Sequence, residues 1–522
     1  MNIALARPGP QPAAADRGLP RPLLPWLALA AAAVVLAALA LCLPVDHNEG
    51  QYVAAAALAR RLRPYRDFAY LQTPLQLLLT APLCALAKGW AFVALRLANA
   101  AMGLGELALV HVAQRRLGVE RGRAMAAAGL LLLAYPFEFS SVVARNDALP
   151  ALLETAAMLA GLEALRHRRA WPLWALAGLL LGAAVSAKLS YVFPAAAVGL
   201  YLVWRAWRGG GRLADAAACA LGGVVGLLPC LAAWLQSPDG FWWGAVTYAG
   251  TAPGAWYGWL GQGGRLALPA RVLEGGFHLA VGPALAVAAG VILAAVRGRR
   301  QPPSPAVVLL RALALAGALA ALAPSPMQRQ YLEPLLPPLV VLWGVQDPGL
   351  RLAGAGRLLL AAMLAIGVVT GVGRVGYVLG DAARGWLAGR LPPALALTAQ
   401  AHWLGRALDA APVQGPIATV SPQVVVDSGL PLDPRFASGV FAYRTGDLVP
   451  DARQQGLHIL SPRTLAHGLD ARPPAAIVTG LETPAGVHRR NPDDDLRAYA
   501  RARGYARLTS PDGAAQVWVR PG

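Results

Sequence analysis

Asp46 and Glu49 stand three residues apart in Asp46-His-Asn-Glu49-Gly-Gln-Tyr52, directly after the first long apolar run. Carboxylates where a hydrophobic helix leaves a bilayer are costly, because ionisable groups at membrane depth are rare and usually face a pathway or a site. The spacing puts both acids on one face if a helix starts there. Such acids could cap that helix and complement its dipole, or one could serve as a base for a hydroxyl nucleophile. Arg145-Asn146-Asp147, Lys188 and Arg329 also sit in short gaps between apolar runs. Singly, Arg145 and Asp147 could pair, Lys188 could snorkel to headgroups and Arg329 could anchor a helix end.

The elements that position these residues follow from composition. The 522 residues are 57% hydrophobic and 14% charged, with a mean hydropathy of +0.48, so apolar runs of bilayer length dominate. The net charge of +19 does not mark a nucleic-acid binder, because the arginines cluster between apolar runs instead of along one face or tail. Cys42, Cys84, Cys219 and Cys230 lie singly in apolar stretches without ligand spacing and read as small buried hydrophobes.

Residues 1–22, with Arg7, Arg17 and Arg21, read as a short disordered cytoplasmic tail. Leu23–Val45 is too long for a signal-peptide core and is expected to stay as an anchor. Further spans are expected near 92–113, 124–142, 148–165, 171–187, 189–204, 213–235, 276–296, 305–323, 331–346 and 355–375, about eleven in all. Arg115, Arg116, Arg121 and Arg123, Arg166, Arg168 and Arg169, Arg205, Arg208 and Arg212, Arg297, Arg299 and Arg300, and Arg351 and Arg357 fall in every second loop. The positive-inside bias makes those loops cytoplasmic. The alternate loops, 46–91, 140–147, the turn at Lys188, 236–274, 324–330 and everything after about 376, are therefore extracytoplasmic.

The candidate acids and cations thus share the outer side, where cations run against the usual bias and want an anion. A lipid-linked phosphate would be one, with arginine offering bidentate contacts and lysine a point charge. In the 46–91 loop, Gln51–Arg63 and Pro74–Leu86 read as helices lying in the interface. The 236–274 loop carries Phe241, Trp242, Trp243, Tyr248, Trp256, Tyr257 and Trp259, either an aromatic belt or a platform for sugar rings or an isoprenoid chain. Glu106, His111 and Glu154 fall inside spans as interhelical hydrogen-bonding groups or a proton relay. Gly371-Val-Gly373-Arg-Val-Gly376 matches a dinucleotide fingerprint by letter, but it ends an apolar span with no strand before it.

Residues 376–522 are richer in charge and proline and read as a small soluble α/β domain. Strands are expected at Ile417–Val420, Ala475–Thr479 and Gln516–Arg520. A helix between the last two has Asn491 as cap, Pro492 in first position, acids in its first turn and Gly504 after its end. The fold class is an α-helical polytopic membrane domain, 23–375, followed by that domain.

In order along the chain, the acid pair, Tyr65-Arg-Asp-Phe68, Thr73-Pro74, Ala94-Leu-Arg96-Leu-Ala-Asn99, Arg145-Asn-Asp147, Lys188 and Gln330-Tyr-Leu-Glu-Pro-Leu-Leu-Pro337-Pro338 form a set. That set resembles the GT-C membrane glycosyltransferases, in the bacterial branch related to protein O-mannosyltransferases and lipid A aminoarabinose transferases. The resemblance covers roughly residues 23–350. It implies inverting transfer of a sugar from a polyprenyl-phosphate donor to a glycolipid, polysaccharide or protein acceptor at the periplasmic face of a bacterial inner membrane, with the C-terminal domain periplasmic.

The resemblance further implies that an acid of the first outer loop is the general base. The family usually has adjacent Asp-Glu here, and in this chain the aspartate slot is Asn48, so the role passes to Asp46 or Glu49, with Asp147 as a second acid orienting the acceptor or a bound cation. Many relatives carry a lysine before the proline closing this loop, where this chain has Gln72 and Thr73. The donor phosphate then rests on Arg145, Lys188 and Arg329, and Tyr52, Arg66, Asp67, Gln72 and Tyr331 are expected to contact substrate. The acids could hold a divalent cation, but their spacing has no ligand signature, so no metal site or cofactor is assigned. A transporter or lipid flippase, or a non-catalytic scaffold, would use the same charges differently; the former needs Glu106, His111 and Glu154 to join a path through the membrane.

Overall fold

A computed structural model describes residues 23–297, 302–347, 354–409, 415–482 and 491–521. The expected tail at 1–22, and Arg299, Arg300 and Arg351, lie outside the described residues. Helix α1 (Leu24–Cys42) opens with a proline in its first turn and stops where Leu43 turns extended ahead of Pro44. The chain passes Asp46 into α2 (Glu49–Leu58), crosses an irregular segment to α3 (Leu75–Ala87) and enters α4 (Ala91–Arg116).

The interfacial expectation for Gln51–Arg63 needs correction. Helix α2 ends before the arginines, and residues Glu49 to Ala56 are all buried. It is an internal element packed between α3, α4 and the C-terminal part of the chain. Helix α3 does keep Leu78, Leu79 and Leu86 exposed, an apolar face open to lipid.

Three expected spans are broken. Helices α5 (Arg121–Leu132) and α6 (Tyr135–Val142) meet at 72°. After α7 (Ala148–Ala164), α8 (Trp171–Ala187) and α9 (Val192–Trp207), helices α10 (Leu213–Gly226) and α11 (Leu228–Gln236) meet at 44°. Helix α12 (Tyr248–Trp259) occupies the expected outer loop, and α13 (Leu268–Ala280) and α14 (Ala284–Arg297) meet at 105°. Pro136, Pro229 and Pro283 stand at the start of the second member of each pair; a proline has no N–H for the preceding turn, so the break falls there.

Helices α15 (Pro305–Leu322), α16 (Leu336–Gln346) and α17 (Gly354–Leu387) complete the bundle. Five described helices are long and apolar enough to cross a membrane, or eight if each bent pair is one span. The count takes α9 together with the turn before it, Leu189–Trp207; of the eleven expected, those on α7 and α8, of 17 residues each, and on α16, of 11, fall outside it. The glycine-rich fingerprint lies inside α17, which runs unbroken past position 376.

Beyond it come α18 (Pro393–Asp409), β1 (Ile417–Ala418), α19 (Gln423–Ser428), α20 (Val440–Thr445), β2 (Ala476–Thr479), α21 (Asp493–Ala502), β3 (Ala506–Thr509) and β4 (Gln516–Val519). The strands form one sheet in the order β1-β2-β4-β3, with β1 parallel to β2 and the other pairs antiparallel. Asn491 accepts from the Asp493 N–H at 2.9 Å and Gly504 takes a left-handed φ of 70°, so α21 starts and stops on the signals in its sequence.

This C-terminal part clasps the start of the bundle. Asp427 accepts from the N–H groups of Ala91 (2.8 Å) and Phe92 (3.3 Å), capping α4 across some 330 residues of chain. Gln423 lies so close to α2 that a Cβ at Gly50 would sit 2.4 Å from its Oε1.

The tightest crossing in the bundle is between α8 and α10. Added Cβ atoms at Gly178, Gly182, Gly222 and Gly226 would lie 1.9, 2.2, 2.0 and 2.3 Å from backbone carbonyl oxygens of the facing helix. Small residues four apart let the backbones touch, the packing available where lipid removes the hydrophobic drive for helix association. Gly222→Leu is expected to wedge the pair apart at a cost of about 1–3 kcal/mol or more, seen as a lower thermal midpoint of the purified protein in detergent, with Gly373→Leu, at an open position, as the control that leaves it unchanged.

Candidate active site

The turn after α6 brings the sequence's charged candidates together. Arg145 donates from Nη1 to Asp46 Oδ1 and from Nε to Asp147 Oδ2, each at 3.0 Å. Lys188, at the end of α8, donates to Asp147 Oδ1. Asp46, Arg145, Asp147 and Lys188 therefore form one chain of alternating charge. Tyr331 offers its ring to the Lys188 ammonium at 5.2 Å.

Arg329 reaches the same place by another route. Its guanidinium lies 3.7 Å from the Phe139 ring centroid, and Arg145 lies 5.7 Å from the same ring. Arg329 also donates to the Tyr135 hydroxyl and forms no ion pair among the described residues. The two acids and the two cations of the chain offset one another, so Arg329 leaves the cluster with an excess positive charge.

The acids are not equivalent. Glu49 Oε1 accepts from Arg96 Nε at 2.7 Å and the Ala144 N–H at 2.6 Å, and its Oε2 from Arg96 Nη2 at 2.6 Å and the Asp46 N–H at 2.7 Å. Its side chain, like that of Asp147, is 0% exposed. Asp46 is 16% exposed. Its Oδ1 takes the bonds from Arg145 and from the backbone and side-chain amides of Asn48, and no bond to its Oδ2 is formed by the described residues. Burial works against the Asp46 charge, but Arg145 and the Asn48 hydrogen bonds outweigh it and hold the carboxyl below the ordinary aspartate range. Asn48, the departure from the Asp-Glu pattern, thus orients Asp46 without titrating.

Of the expected substrate contacts, Tyr52 lies within electrostatic range of Arg145, Asp147 and Tyr331, and Gln72 Oε1 accepts from Asn146 at 3.0 Å. A narrow crevice lined by Tyr52, Tyr70, Gln76, Asn99 and Arg145 runs beside them. Arg66 and Asp67 are not brought in. Arg66 is exposed, and Asp67 accepts from the Arg63 N–H at 2.8 Å, closing the turn on which they sit.

Three residues here had no role in the sequence reading. Arg96 is fully buried and spends its guanidinium on Glu49 and the carbonyls of Ala40, Leu43 and Pro44. Asn99 donates to the carbonyl of Arg145 at 2.8 Å, fixing the turn. Glu333 lies near Asp147, Lys188 and Ser140 and groups with Glu106 and Glu154 beneath the site. His111 is at the other end of α4, against Ala124, Arg115 and Arg121, and does not join them. A charged arginine in an apolar run was the available signal for Arg96; Glu333 hid in a proline-rich stretch.

Among the described residues no group of three His, Cys, Asp or Glu could hold a metal ion. Asp46, Glu49 and Asp147 face Arg145, Lys188 and Arg96 instead of one another, so these three acids do not fit a divalent cation.

Residues 85–217 match the family model described as dolichyl-phosphate-mannose-protein mannosyltransferase. The structure of ArnT from Cupriavidus metallidurans in the apo state superposes with a TM-score of 0.60 at 16% identity, over 95% of this chain and 98% of that one. The same protein bound to undecaprenyl phosphate gives 0.58 at 16%, with the same coverage. This is a GT-C glycosyltransferase fold. The Archaeoglobus fulgidus oligosaccharyltransferase, in complex with Zn and sulfate, is a more distant likeness, with a TM-score of 0.51 at 13% identity over 94% of this chain and 73% of that one. No curated protein matches the sequence. The ArnT-like fold and the apolar helices make the chain a multi-pass membrane protein.

Breaking the Glu49–Arg96 pair within this GT-C fold leaves one buried charge uncompensated, a loss of about 3–5 kcal/mol. Glu49→Gln and Arg96→Met are each expected to abolish monodisperse protein on size exclusion in detergent, while the double variant recovers part of it and Asp46→Asn elutes as the wild type does.

Proposed function

We propose that the protein is an inverting glycosyltransferase that moves a sugar from a polyprenyl-phosphate donor to an acceptor hydroxyl on the periplasmic side of a bacterial inner membrane. The observation that carries this reading is the unoccupied Oδ2 of Asp46 beside Arg145, Lys188 and Arg329. Asp46 takes the proton of the acceptor hydroxyl, whose oxygen bonds to the anomeric carbon as the bond from that carbon to the phosphate oxygen breaks. The polyprenyl phosphate leaves with the electron pair, and the three cations hold its growing charge. One displacement inverts the anomeric centre.

A carboxylate with a depressed pKa stays ionised but is a weak base. A phosphate drawing on Arg145 relieves part of this, because the cation that depresses Asp46 is then shared with a second anion. Glu49 acts as a positioning residue, orienting the backbone of Asp46 and the 144–147 turn. Asp147 holds Arg145 and Lys188 in register. Fold likeness to a protein captured with undecaprenyl phosphate supports the donor class, and the C-terminal domain, 376–522, is assigned to the periplasm on the arginine pattern of the loops.

The test is transfer from a pool of radiolabelled polyprenyl-phosphate sugars in membranes containing the protein. Asp46→Asn is expected to lower turnover by roughly 10²- to 10⁴-fold with undecaprenyl phosphate still bound, and Lys188→Ala to weaken that binding. Wild-type turnover in Asp46→Asn would remove the base assignment. Donor binding without any transfer by the wild type would favour a scaffold or a transporter.

A further inference from the structure

His47 follows Asp46 directly and is the more exposed of the two, at 40% against 16%. Its Nδ1 lies 3.0 Å from Oε2 of Glu482, which the C-terminal domain carries shortly after β2. That carboxylate is 6% exposed, and its other oxygen accepts from the Ser421 hydroxyl at 2.7 Å. The backbone of Glu482 is fixed as well: its N–H donates to Asp493 Oδ2 at 3.2 Å, and its carbonyl accepts from Asn491 Nδ2 at 3.1 Å. The Phe441 ring, on α20, meets the imidazole edge-on at 5.2 Å with 63° between the planes. A half-exposed histidine beside the base is thus held in one orientation by the C-terminal domain.

An ionised carboxylate accepts and cannot donate, so the hydrogen shared with Glu482 belongs to Nδ1. In the neutral imidazole Nε2 then carries the lone pair, and no bond to it is formed by the described residues. A histidine whose Nδ1–H is fixed by a carboxylate is oriented as a proton acceptor, and the same carboxylate stabilises the imidazolium it becomes. The charged groups around it are Glu482 from the C-terminal domain and, on its own segment, Asp46 with Arg145. Arg444 and Asp493 lie within electrostatic range of Glu482, and Phe441 adds no charge.

The displacement leaves a proton on Asp46 that must go before the next turnover. Arg145 and Asn48 hold that carboxyl below the ordinary aspartate range, so it gives the proton up readily to an imidazole, a side chain that ordinarily titrates near neutral.

We infer that His47 takes the acceptor's proton from Asp46 and releases it to the outer solution, with Glu482 of the C-terminal domain as the positioning residue for that step. The proton moves from the acceptor hydroxyl to Asp46 Oδ2 as the new bond to the anomeric carbon forms, and from there to His47 Nε2. The electron pair of the broken bond stays with the leaving phosphate. The inference rests on the glycosyltransferase reading and gives the C-terminal domain a share in its chemistry.

The experiment is transfer from the radiolabelled polyprenyl-phosphate sugars, measured between pH 5 and 9 in membranes containing the wild type, His47→Gln, His47→Ala or Glu482→Gln. Wild-type turnover should fall on the acid side as an imidazole titrates. His47→Gln should lower turnover roughly 10²-fold and lose that acid limb, with undecaprenyl phosphate affinity and the thermal midpoint unchanged. Glu482→Gln should keep the limb and move it about 1 unit to lower pH, because the carboxylate that favours the imidazolium is gone. Added imidazole should restore part of the turnover of His47→Ala. Wild-type turnover and an unchanged pH profile in His47→Gln overturn the proposal. So does a loss accompanied by a lower thermal midpoint and no rescue by imidazole, because the pair would then be a clasp between the domains. Absence of transfer by the wild type overturns the transferase reading and this role with it, whereas wild-type transfer that ignores His47 removes the role alone.

Discussion

Arg96 has five N–H donors, and all five are used: two on Glu49 and one each on the carbonyls of Ala40 and Leu43 from Nη1 and of Pro44 from Nη2, with Nε completing the pair on Glu49. Through them a single side chain of α4 fixes the end of α1 and the start of α2. Glu49 passes the constraint on, because it also accepts from the N–H groups of Asp46 and Ala144. The desolvation cost of such a pair is high, and complete hydrogen bonding is what offsets it. In exchange, the two backbone segments that present Asp46 and Arg145 are held to one another by charge-assisted bonds instead of by loop packing.

The outer cluster works on the opposite rule. There, three of the ionic groups keep something in reserve: an oxygen of Asp46, two N–H groups of Lys188, and the whole charge of Arg329. Aromatic rings at Phe139, Tyr135 and Tyr331 accompany the cations without neutralising them. A site that must meet an anion needs such incompletely spent charge, and it can be kept only where a satisfied layer beneath it carries the structural load.

Much of this was readable from residue types. Acids and cations on the outer side of the apolar runs named most of the cluster, and the caps of α21 named its ends. The breaks at Leu133-Ala134 and Val281-Gly282-Pro283 were not read, because apolar composition continues across them and hydropathy is blind to a bend. Strand β3 is exposed along all four residues and shows no alternation, so it carries no period-two signal; pairing with β4 makes it a strand. The roles of Glu49 and Asp46 could not be separated, since both occupy the same short segment and only tertiary partners from α4 and the 144–147 turn distinguish them.

Helix α17 extends for 34 residues without a break. At about 1.5 Å per residue it is about 50 Å long, well beyond the about 30 Å of a hydrocarbon core. The C-terminal domain is thus carried by a stiff mast, and its azimuth about that mast is set by helical phase. One residue inserted into α17 turns everything after it by about 100°. An insertion into α17 of anything but a near-whole turn therefore works against the seats of Asp427 on α4 and Gln423 on Gly50, a rule imposed by geometry on a stretch whose side chains are mostly exposed.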